Sequence, residues 1–374
     1  MAGIYLHIPF CKQACHYCDF HFLTSMKNKE AMVAALTKEI DLRKDELGGE
    51  MIETIYFGGG TPSVLSTDEI EFLIESVYQN FEVVDSPEIT LEANPDDLST
   101  DQITQLRNTR INRLSIGIQS FFDDDLKMMN RAHNASEAQK SLAEATHRFD
   151  NISIDLIYGV PGMSDEKWKQ NIETALSFGV PHISSYALTV EPKTALKKLI
   201  ATGQIAAPKD EVAASHFRIL VETLEASGFV HYELSNFGKP GYFSRNNSAY
   251  WLGKKYLGIG PSAHSYDGVS RSWNVSNNSL YLKSMAKDEL PGETEVLSVA
   301  DRYNEYIMTG LRTIWGVSLE KVETDFGKKY VDYLMGESKR FIDDGLLSLE
   351  NNVLKTTLAG KFLCDGIASD LFLV

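Results

Sequence analysis

The chain has 374 residues, of which 43% are hydrophobic and 24% charged, and its formal net charge is −16. These fractions are ordinary for a globular protein, and the length suits a barrel with an appended domain. The acidic net charge argues against a general nucleic-acid partner, which needs a basic surface. No run of apolar residues is long enough to predict a membrane-spanning helix. Three of the four cysteines share one motif and the first residues show no targeting signal, so we expect a reducing, cytoplasmic setting.

Strand-like and helical segments alternate along the first 235 residues. Strands are predicted at 4–8, 54–57, 88–93, 113–119, 152–158 and 183–188, and helices at about 29–47, 67–78, 99–108, 122–129, 135–148, 164–177 and 210–227. This alternation predicts a parallel sheet built from βαβ units. The glycine-rich and polar motifs follow the strands directly, and ligand sites in such folds lie at that edge. We therefore predict an α/β fold, a partial (β/α)6 barrel, over residues 1–235.

The pattern changes after residue 235. Residues 236–290 are rich in Asn, Ser, Gly and Tyr and lack periodicity, which predicts an irregular connecting segment. Residues 291–374 return to helical spacing and end with a helix at about 331–344, two short strands around Asn351-Asn352, and a last helix. This order predicts a C-terminal α+β domain like a winged helix. Its acidic charge favours a lid or docking role over DNA reading.

Three cysteines fall within eight residues, in Cys11-Lys12-Gln13-Ala14-Cys15-His16-Tyr17-Cys18. Thiolates prefer zinc and iron–sulfur clusters. A structural zinc ion needs a fourth ligand, for which His7, His16 and His21 are the candidates. A cluster held by three cysteines instead leaves one iron open to an outside ligand. The motifs that follow along the chain favour the cluster.

Further polar residues stand where strands end or are buried. Gly58-Gly59-Gly60 allows close approach to the main chain, although a plain turn is an alternative. Glu92 and Asp155 lie on apolar strands and need a partner or a ligand. For Glu92, and for Gln119 at the end of its strand, an internal polar contact is the alternative. Arg131 offers a planar fork for a carboxylate, although a loop arginine is often simply solvated.

The C-x3-C-x2-C spacing is that of the radical S-adenosylmethionine (SAM) superfamily, and the chain resembles its oxygen-independent coproporphyrinogen III oxidase group. The motifs that carry the resemblance are Tyr5–Cys11, Cys15–Phe20, Gly58–Pro62, Glu92–Pro95, Gly117–Phe121, Asn130-Arg131, Asp155–Gly159, Tyr186-Ala187, Tyr250-Trp251, Gly258–His264 and Thr357–Gly360. The resemblance implies a [4Fe–4S] cluster on Cys11, Cys15 and Cys18. It implies SAM contacts from Tyr5, Tyr17, Gly59, Gly60, Thr61, Glu92, Gln119, Arg131, Asp155 and Ala187.

Two departures from the decarboxylating oxidases indicate the haem chaperone branch of this group. Phe20 stands where those oxidases carry a fourth cysteine, and four residues precede Tyr5 where they carry a long extension. The branch implies haem as cargo, a recipient haemoprotein at a membrane, and an electron donor for the cluster. The alternative is oxidative decarboxylation of coproporphyrinogen III to protoporphyrinogen IX. RNA modification is disfavoured, because no basic appended module is present.

The haem-associated segment of that branch typically reads His-Asn-x-x-Tyr-Trp, and here Asn246 replaces the histidine. An amide is a poor iron ligand beside imidazole, so His264 is the candidate substitute. We expect Tyr250, Trp251 and His264 near the barrel mouth, close to SAM. The alternative is that Tyr250 and Trp251 pack an interdomain core. The residues assign no role to Cys364 and no catalytic group.

Overall fold

The structure is a computed structural model that describes residues 1–373. Six parallel strands pair in chain order and form its centre. They are β1 (Ala2–Ile8), β2 (Ile52–Gly59), β3 (Val83–Ala93), β4 (Arg113–Gln119), β5 (Ile152–Tyr158) and β6 (His182–Ala187). The flanking strands β1 and β6 pair outward with later strands, as expected for a partial barrel. The predicted fold class is confirmed.

Helices cover the outer face of these strands. They are α1 (Lys29–Leu42), α2 (Thr67–Asn80), α3 (Thr100–Arg107), α4 (Asp123–Met128), α5 (Ala135–Thr146), α6 (Asp165–Ser177), α7 (Ala195–Ala201) and α8 (Asp210–Ala226). Helix α1 ends five residues earlier than predicted, where the backbone of Arg43 leaves the helical conformation and turns follow up to Gly49. Helix α7 was not predicted, since its seven residues are too few to show a period.

The prediction of an irregular segment at 236–290 is wrong. It contains β8 (Asn236–Gly238), α9 (Arg245–Trp251), β9 (Tyr256–Ile259), β10 (His264–Tyr266), β11 (Ser270–Asn274) and α10 (Asn278–Met285). Together with β7 (Val230–Glu233) and β12 (Gly292–Val296), these strands extend the sheet of residues 1–373 to twelve strands. Strands of three to five residues sample too few positions to reveal an alternating pattern.

The remaining elements form a second body with its own apolar core, which includes Tyr303, Leu334 and Leu354. Its helices are α11 (Val299–Leu311), α12 (Leu319–Phe326), α13 (Lys328–Asp343), α14 (Leu358–Lys361) and α15 (Cys364–Asp370), and its strands are β13 (Val317–Ser318), β14 (Leu347–Glu350) and β15 (Val353–Thr356). The three strands pair antiparallel with β15 in the middle. The predicted C-terminal α+β domain is confirmed. Among residues 1–373, no helix has the length and apolarity that crossing a membrane requires.

Candidate functional site

A cavity of about 510 Å³ opens at the carboxyl ends of the six parallel strands. Most of the predicted cluster and SAM residues lie on its wall. These are Cys11, Cys15, Tyr17, Cys18, Gly59, Gly60, Thr61, Glu92, Gln119, Arg131, Asp155 and Ala187. Parallel strands end at one edge, so residues more than 170 positions apart in the chain meet there.

Tyr5 lies behind this wall instead of on it. Its ring stacks on that of Tyr56, with the ring centroids 6.1 Å apart, and its hydroxyl lies 3.3 Å from Nδ1 of His7. Tyr5 therefore packs behind residues of the cavity wall. The resemblance implied a direct contact between Tyr5 and SAM, and Tyr5 is not among the residues that line the cavity.

The cysteine loop is fastened to the glycine segment on one side. The Gly60 N–H donates to the Ile8 carbonyl (2.9 Å) and the Thr61 N–H donates to the Phe10 carbonyl (2.7 Å). A Cβ on Gly60 would fall 2.6 Å from that Phe10 oxygen, so a side chain would push the two segments apart. The close approach that requires glycine here is made by the protein's own backbone.

Gly59 is constrained in the same way. Its φ of 107° is one that L side chains rarely adopt, and an added Cβ would lie 2.6 Å from the His7 imidazole. The side of Gly59 that lacks a side chain therefore faces β1. The two glycines present main-chain atoms to the cavity. The space that their missing side chains leave is filled by His7 and Phe10.

The loop between α4 and α5 holds the cysteine loop from the other side. Gln13 Nε2 donates to the Asn130 carbonyl (2.9 Å), and Asn130 Nδ2 donates back to the Ala14 carbonyl (2.8 Å). Asn130 has a left-handed backbone with φ of 56°, a conformation that asparagine tolerates well. This turn brings Arg131, the next residue, against the cysteines.

Two of the three thiols accept hydrogen bonds from protein donors. The Thr61 hydroxyl donates to Cys11 Sγ (3.3 Å), and Arg131 Nη1 donates to Cys15 Sγ (3.3 Å). Burial raises the pKa of the Cys11 and Cys18 thiols to about 11. A metal that bound these thiols would have to displace their protons.

The three histidines considered as a fourth zinc ligand have other partners. His7 Nε2 lies 2.9 Å from the His21 carbonyl, His16 Nδ1 lies 2.9 Å from the Met128 carbonyl, and His21 Nε2 lies 2.6 Å from Asn278 Oδ1. In the part of the chain that the structure describes, no three His, Cys, Asp or Glu side chains are arranged around a single metal ion.

Two carboxylates face the cavity, Glu92 from the carboxyl end of β3 and Asp155 from the middle of β5. The Tyr56 hydroxyl donates to Glu92 Oε1 (2.8 Å), and burial raises the pKa of Glu92 to about 7. Burial also raises the pKa of Asp155, to about 6. Both groups are poised to accept hydrogen bonds from a polar ligand once ionised. Gln119 ends β4 with a strained φ of 65°, next to a register shift, which is typical of a functional position.

The haem-associated residues do not line this cavity. Trp251 lies beneath the guanidinium of Arg312 from the C-terminal body, 5.1 Å from carbon to ring centroid. Tyr250 packs edge-on against Tyr256 at 4.6 Å between centroids. His264 is exposed, with its ring 6.1 Å from that of Trp273. For Trp251, the interdomain packing alternative describes the structure better.

The start of α9 is anchored at the opposite end of the barrel. Thr54, near the start of β2, donates to the buried Asn246 Oδ1 (2.9 Å). The Asn246 N–H donates to Glu88, which pairs with Thr54 in the parallel register. The first turn of α9 therefore lies at the end of the barrel away from the cavity. The loop after β9 does reach the mouth side, because a Cβ on Gly260 would meet the His7 carbonyl at 2.7 Å.

Several wall residues were not assigned a site role from the sequence, although some of them lie in the motifs that carry the resemblance. They are Gln13, Asn94, Ser115, Gly117, Ile157 and Tyr186, among others. Asn94 could have been predicted from the sequence, since it directly follows the strand that carries Glu92 and therefore lies at the edge of the sheet where ligands bind. Ser115 gave no signal, because a small residue on a strand is typical of packing.

An incomplete parallel barrel with a three-cysteine loop at its strand ends defines a radical SAM protein. The Radical SAM superfamily model matches residues 5–175, and the HemN C-terminal domain model matches residues 297–363. Heme chaperone HemW of Mycobacterium tuberculosis is 33% identical over 99% of this chain and 94% of its own length. Heme chaperone HemW of Bacillus subtilis is 34% identical over 97% of each chain. The chain therefore belongs to the HemW heme chaperone family.

A solved structure supports the fold across the whole chain. Coproporphyrinogen III oxidase (HemN) from Escherichia coli superposes with a TM-score of 0.86 and 22% identity, covering 99% of this chain and 90% of the other. At this identity the likeness concerns the fold alone. It accounts for the barrel and the C-terminal body together.

Proposed function

We propose that this protein is a haem chaperone, which binds haem and passes it to a haemoprotein. The observation that carries the proposal is the similarity to HemW relatives over 97–99% of the chain. Phe20 adds support: it is 69% exposed at the cavity wall, where the resembling oxidases carry a further cysteine. We further propose that the recipient lies at a membrane, that a separate donor reduces the cluster, and that loading takes place in the cytoplasm.

We infer that Cys11, Cys15 and Cys18 hold a [4Fe–4S] cluster whose open iron binds SAM. The residues fit this group, because three free cysteines line one cavity whose wall also carries carboxylate, amide and guanidinium groups. When bound and reduced, such a cluster supplies the electron that cleaves SAM. Glu92, Gln119, Asp155 and Arg131 surround the remaining space and are our proposed SAM contacts, with Tyr17, Gly59, Gly60, Thr61 and Ala187.

For haem, we propose His264 as the axial ligand. Its imidazole is exposed, whereas the amide of Asn246 is buried and already accepts a hydrogen bond from Thr54. Trp273 beside His264 offers a flat apolar surface suited to a macrocycle. Trp251 then contributes through its contact with Arg312 of the C-terminal body, and Tyr250 through its packing against Tyr256 of β9.

One sample tests the function and the alternative. Protein reconstituted anaerobically with iron and sulfide is titrated with haem, followed by difference absorption, and is then supplied with coproporphyrinogen III, SAM and a reductant. We expect saturable haem binding and no protoporphyrinogen IX. Formation of protoporphyrinogen IX without saturable haem binding would instead establish the oxidase.

The cluster ligands are tested in the same preparation. Replacing Cys11, Cys15 or Cys18 with Ala should abolish the brown cluster absorption. Cys364→Ala is the matched control, because Cys364 is 1% exposed in the core of the C-terminal body. Protein that carries zinc in place of iron and sulfide after anaerobic preparation would rule out the radical SAM chemistry.

A further inference from the structure

A continuous chain of hydrogen bonds runs from Arg131 to Cys11 through Asn94. Arg131 Nη2 donates to Asn94 Oδ1 (2.6 Å), and Asn94 Nδ2 donates to Thr61 Oγ1 (3.2 Å). Thr61 Oγ1 then donates to Cys11 Sγ (3.3 Å). Asn94 is the middle member, and it stands directly after β3 at the edge where the cavity opens.

The direction of every bond in this chain follows from the chemistry of its first member. A guanidinium only donates, so the amide oxygen of Asn94 must face Arg131. The amide nitrogen then faces Thr61 and occupies a lone pair of its hydroxyl. The single hydroxyl proton of Thr61 is therefore left for the sulfur of Cys11. Replacing Asn94 would free that proton to point elsewhere.

The same arginine reaches the second thiol. Arg131 Nη1 donates to Cys15 Sγ (3.3 Å), while Nη2 also donates to the Gly117 carbonyl (2.9 Å). A Cβ on Gly117 would lie 3.2 Å from Arg131 Nη2 and 3.3 Å from Asn94 Oδ1, so Arg131 and Asn94 pack tightly against Gly117. Asn94 is held in turn by its own N–H, which donates to Ser63 Oγ (3.3 Å). Both Asn94 and Arg131 are therefore held in position by hydrogen bonds to other parts of the protein.

We propose that Asn94 is a positioning residue that directs the Thr61 hydroxyl and the Arg131 guanidinium at the sulfurs of Cys11 and Cys15. By doing so it raises the reduction potential of the cluster. Hydrogen bonds to ligating sulfurs stabilise the reduced state, which carries the additional negative charge. The inference rests on the proposed ligation of a cluster by these cysteines, and it assigns Asn94 no contact with haem.

The test is a redox titration of reconstituted protein without SAM, read by the electron paramagnetic resonance signal of the reduced cluster, with iron content measured in parallel. In Asn94→Ala we expect full iron content and a ratio of reduced to oxidised cluster about tenfold lower at a fixed potential, which is a midpoint more negative by about 59 mV. Thr61→Val keeps the shape of the side chain and removes the last donor, so its midpoint should also move negative. In the double variant the shift should be smaller than the sum, because both changes interrupt one chain.

Asn80→Ala is the matched control: its amide lies at the end of α2 and donates to the Ser76 carbonyl, outside the cavity. An unchanged midpoint in iron-loaded Asn94→Ala, or shifts that add fully in the double variant, would overturn the proposal. So would an Asn94→Ala protein that takes up no iron while Thr61→Val loads fully with an unchanged midpoint. Wild-type protein without iron would refute the proposed cluster, and that result is distinct from all the others.

Discussion

Glu92→Gln should stabilise the protein at neutral and alkaline pH. The Glu92 carboxylate lines the cavity, and burial is the main cause that raises its pKa from the usual 4.5 to about 7, with Asp155 adding repulsion. Glutamine keeps an oxygen that can accept the bond from the Tyr56 hydroxyl, now 2.8 Å long. The substitution therefore removes the charge and leaves the neighbouring contact in place.

The sign and size of the effect follow from linkage. Between pH 4.5 and 7 the folded protein holds the Glu92 proton more tightly than the unfolded chain does, so wild-type stability falls as pH rises through this window. A shift of this size corresponds to at most about 3 kcal/mol. The part of the carboxylate that faces the cavity is screened by solvent, so we expect a gain of about 2 kcal/mol for the variant above pH 7 and none near pH 4.5.

Urea unfolding of both proteins without added SAM, at pH 5, 6, 7 and 8, measures the difference. Glu337→Gln is the control, because Glu337 is exposed on α13 and its replacement removes no buried charge. The reasoning fails if the stability difference between Glu92→Gln and wild type is constant across this range, or if the variant is less stable at pH 8.

Three further outcomes follow from the structure. Arg312→Ala should cost about 2 kcal/mol in urea unfolding, because it leaves the carboxylate of Glu233, 1% exposed, without its cation; an unchanged midpoint would count against this joint between the two bodies. Gly60→Ala should lose most of its iron after reconstitution, since its Cβ would collide with the cysteine loop, and full iron content would contradict that. His264→Ala should change the haem spectrum and weaken haem binding at least tenfold, while Asn246→Ala should change haem affinity less than twofold. A large loss of affinity in Asn246→Ala with none in His264→Ala would contradict the assignment of His264 as the ligand.

The strands and the cysteine loop could be predicted because their signals are local. Apolar runs that end in Gly or Asn-Pro mark strands, and the spacing of three cysteines marks a metal loop. The position of Trp251 could not be predicted in this way, since its partner Arg312 lies 61 residues further along the chain and belongs to another body. The same holds for Tyr5, whose place behind the cavity wall depends on the neighbouring strand.

The glycines show a different limit of sequence reasoning. The sequence correctly predicted that another group approaches these glycines closely, but it did not predict which group. At Gly59 and Gly60 it is the imidazole of His7 and the backbone of Phe10. A sequence shows that something must come close, and only the packed structure shows what does.

The hydrogen bonds that hold the cysteine loop bear on how the proposed cluster would be assembled. The bonds from Gly60, Thr61, Gln13 and Asn130 involve main-chain and amide atoms, not sulfur, so they persist whether or not iron is bound. Ordering a free backbone costs about 1–2 kcal/mol per residue. For eight residues, a loop already held in place spares metal uptake on the order of 10 kcal/mol. If these cysteines hold the proposed cluster, its oxidative loss would leave the loop in place, and repair would require new iron and sulfide but no refolding of the loop.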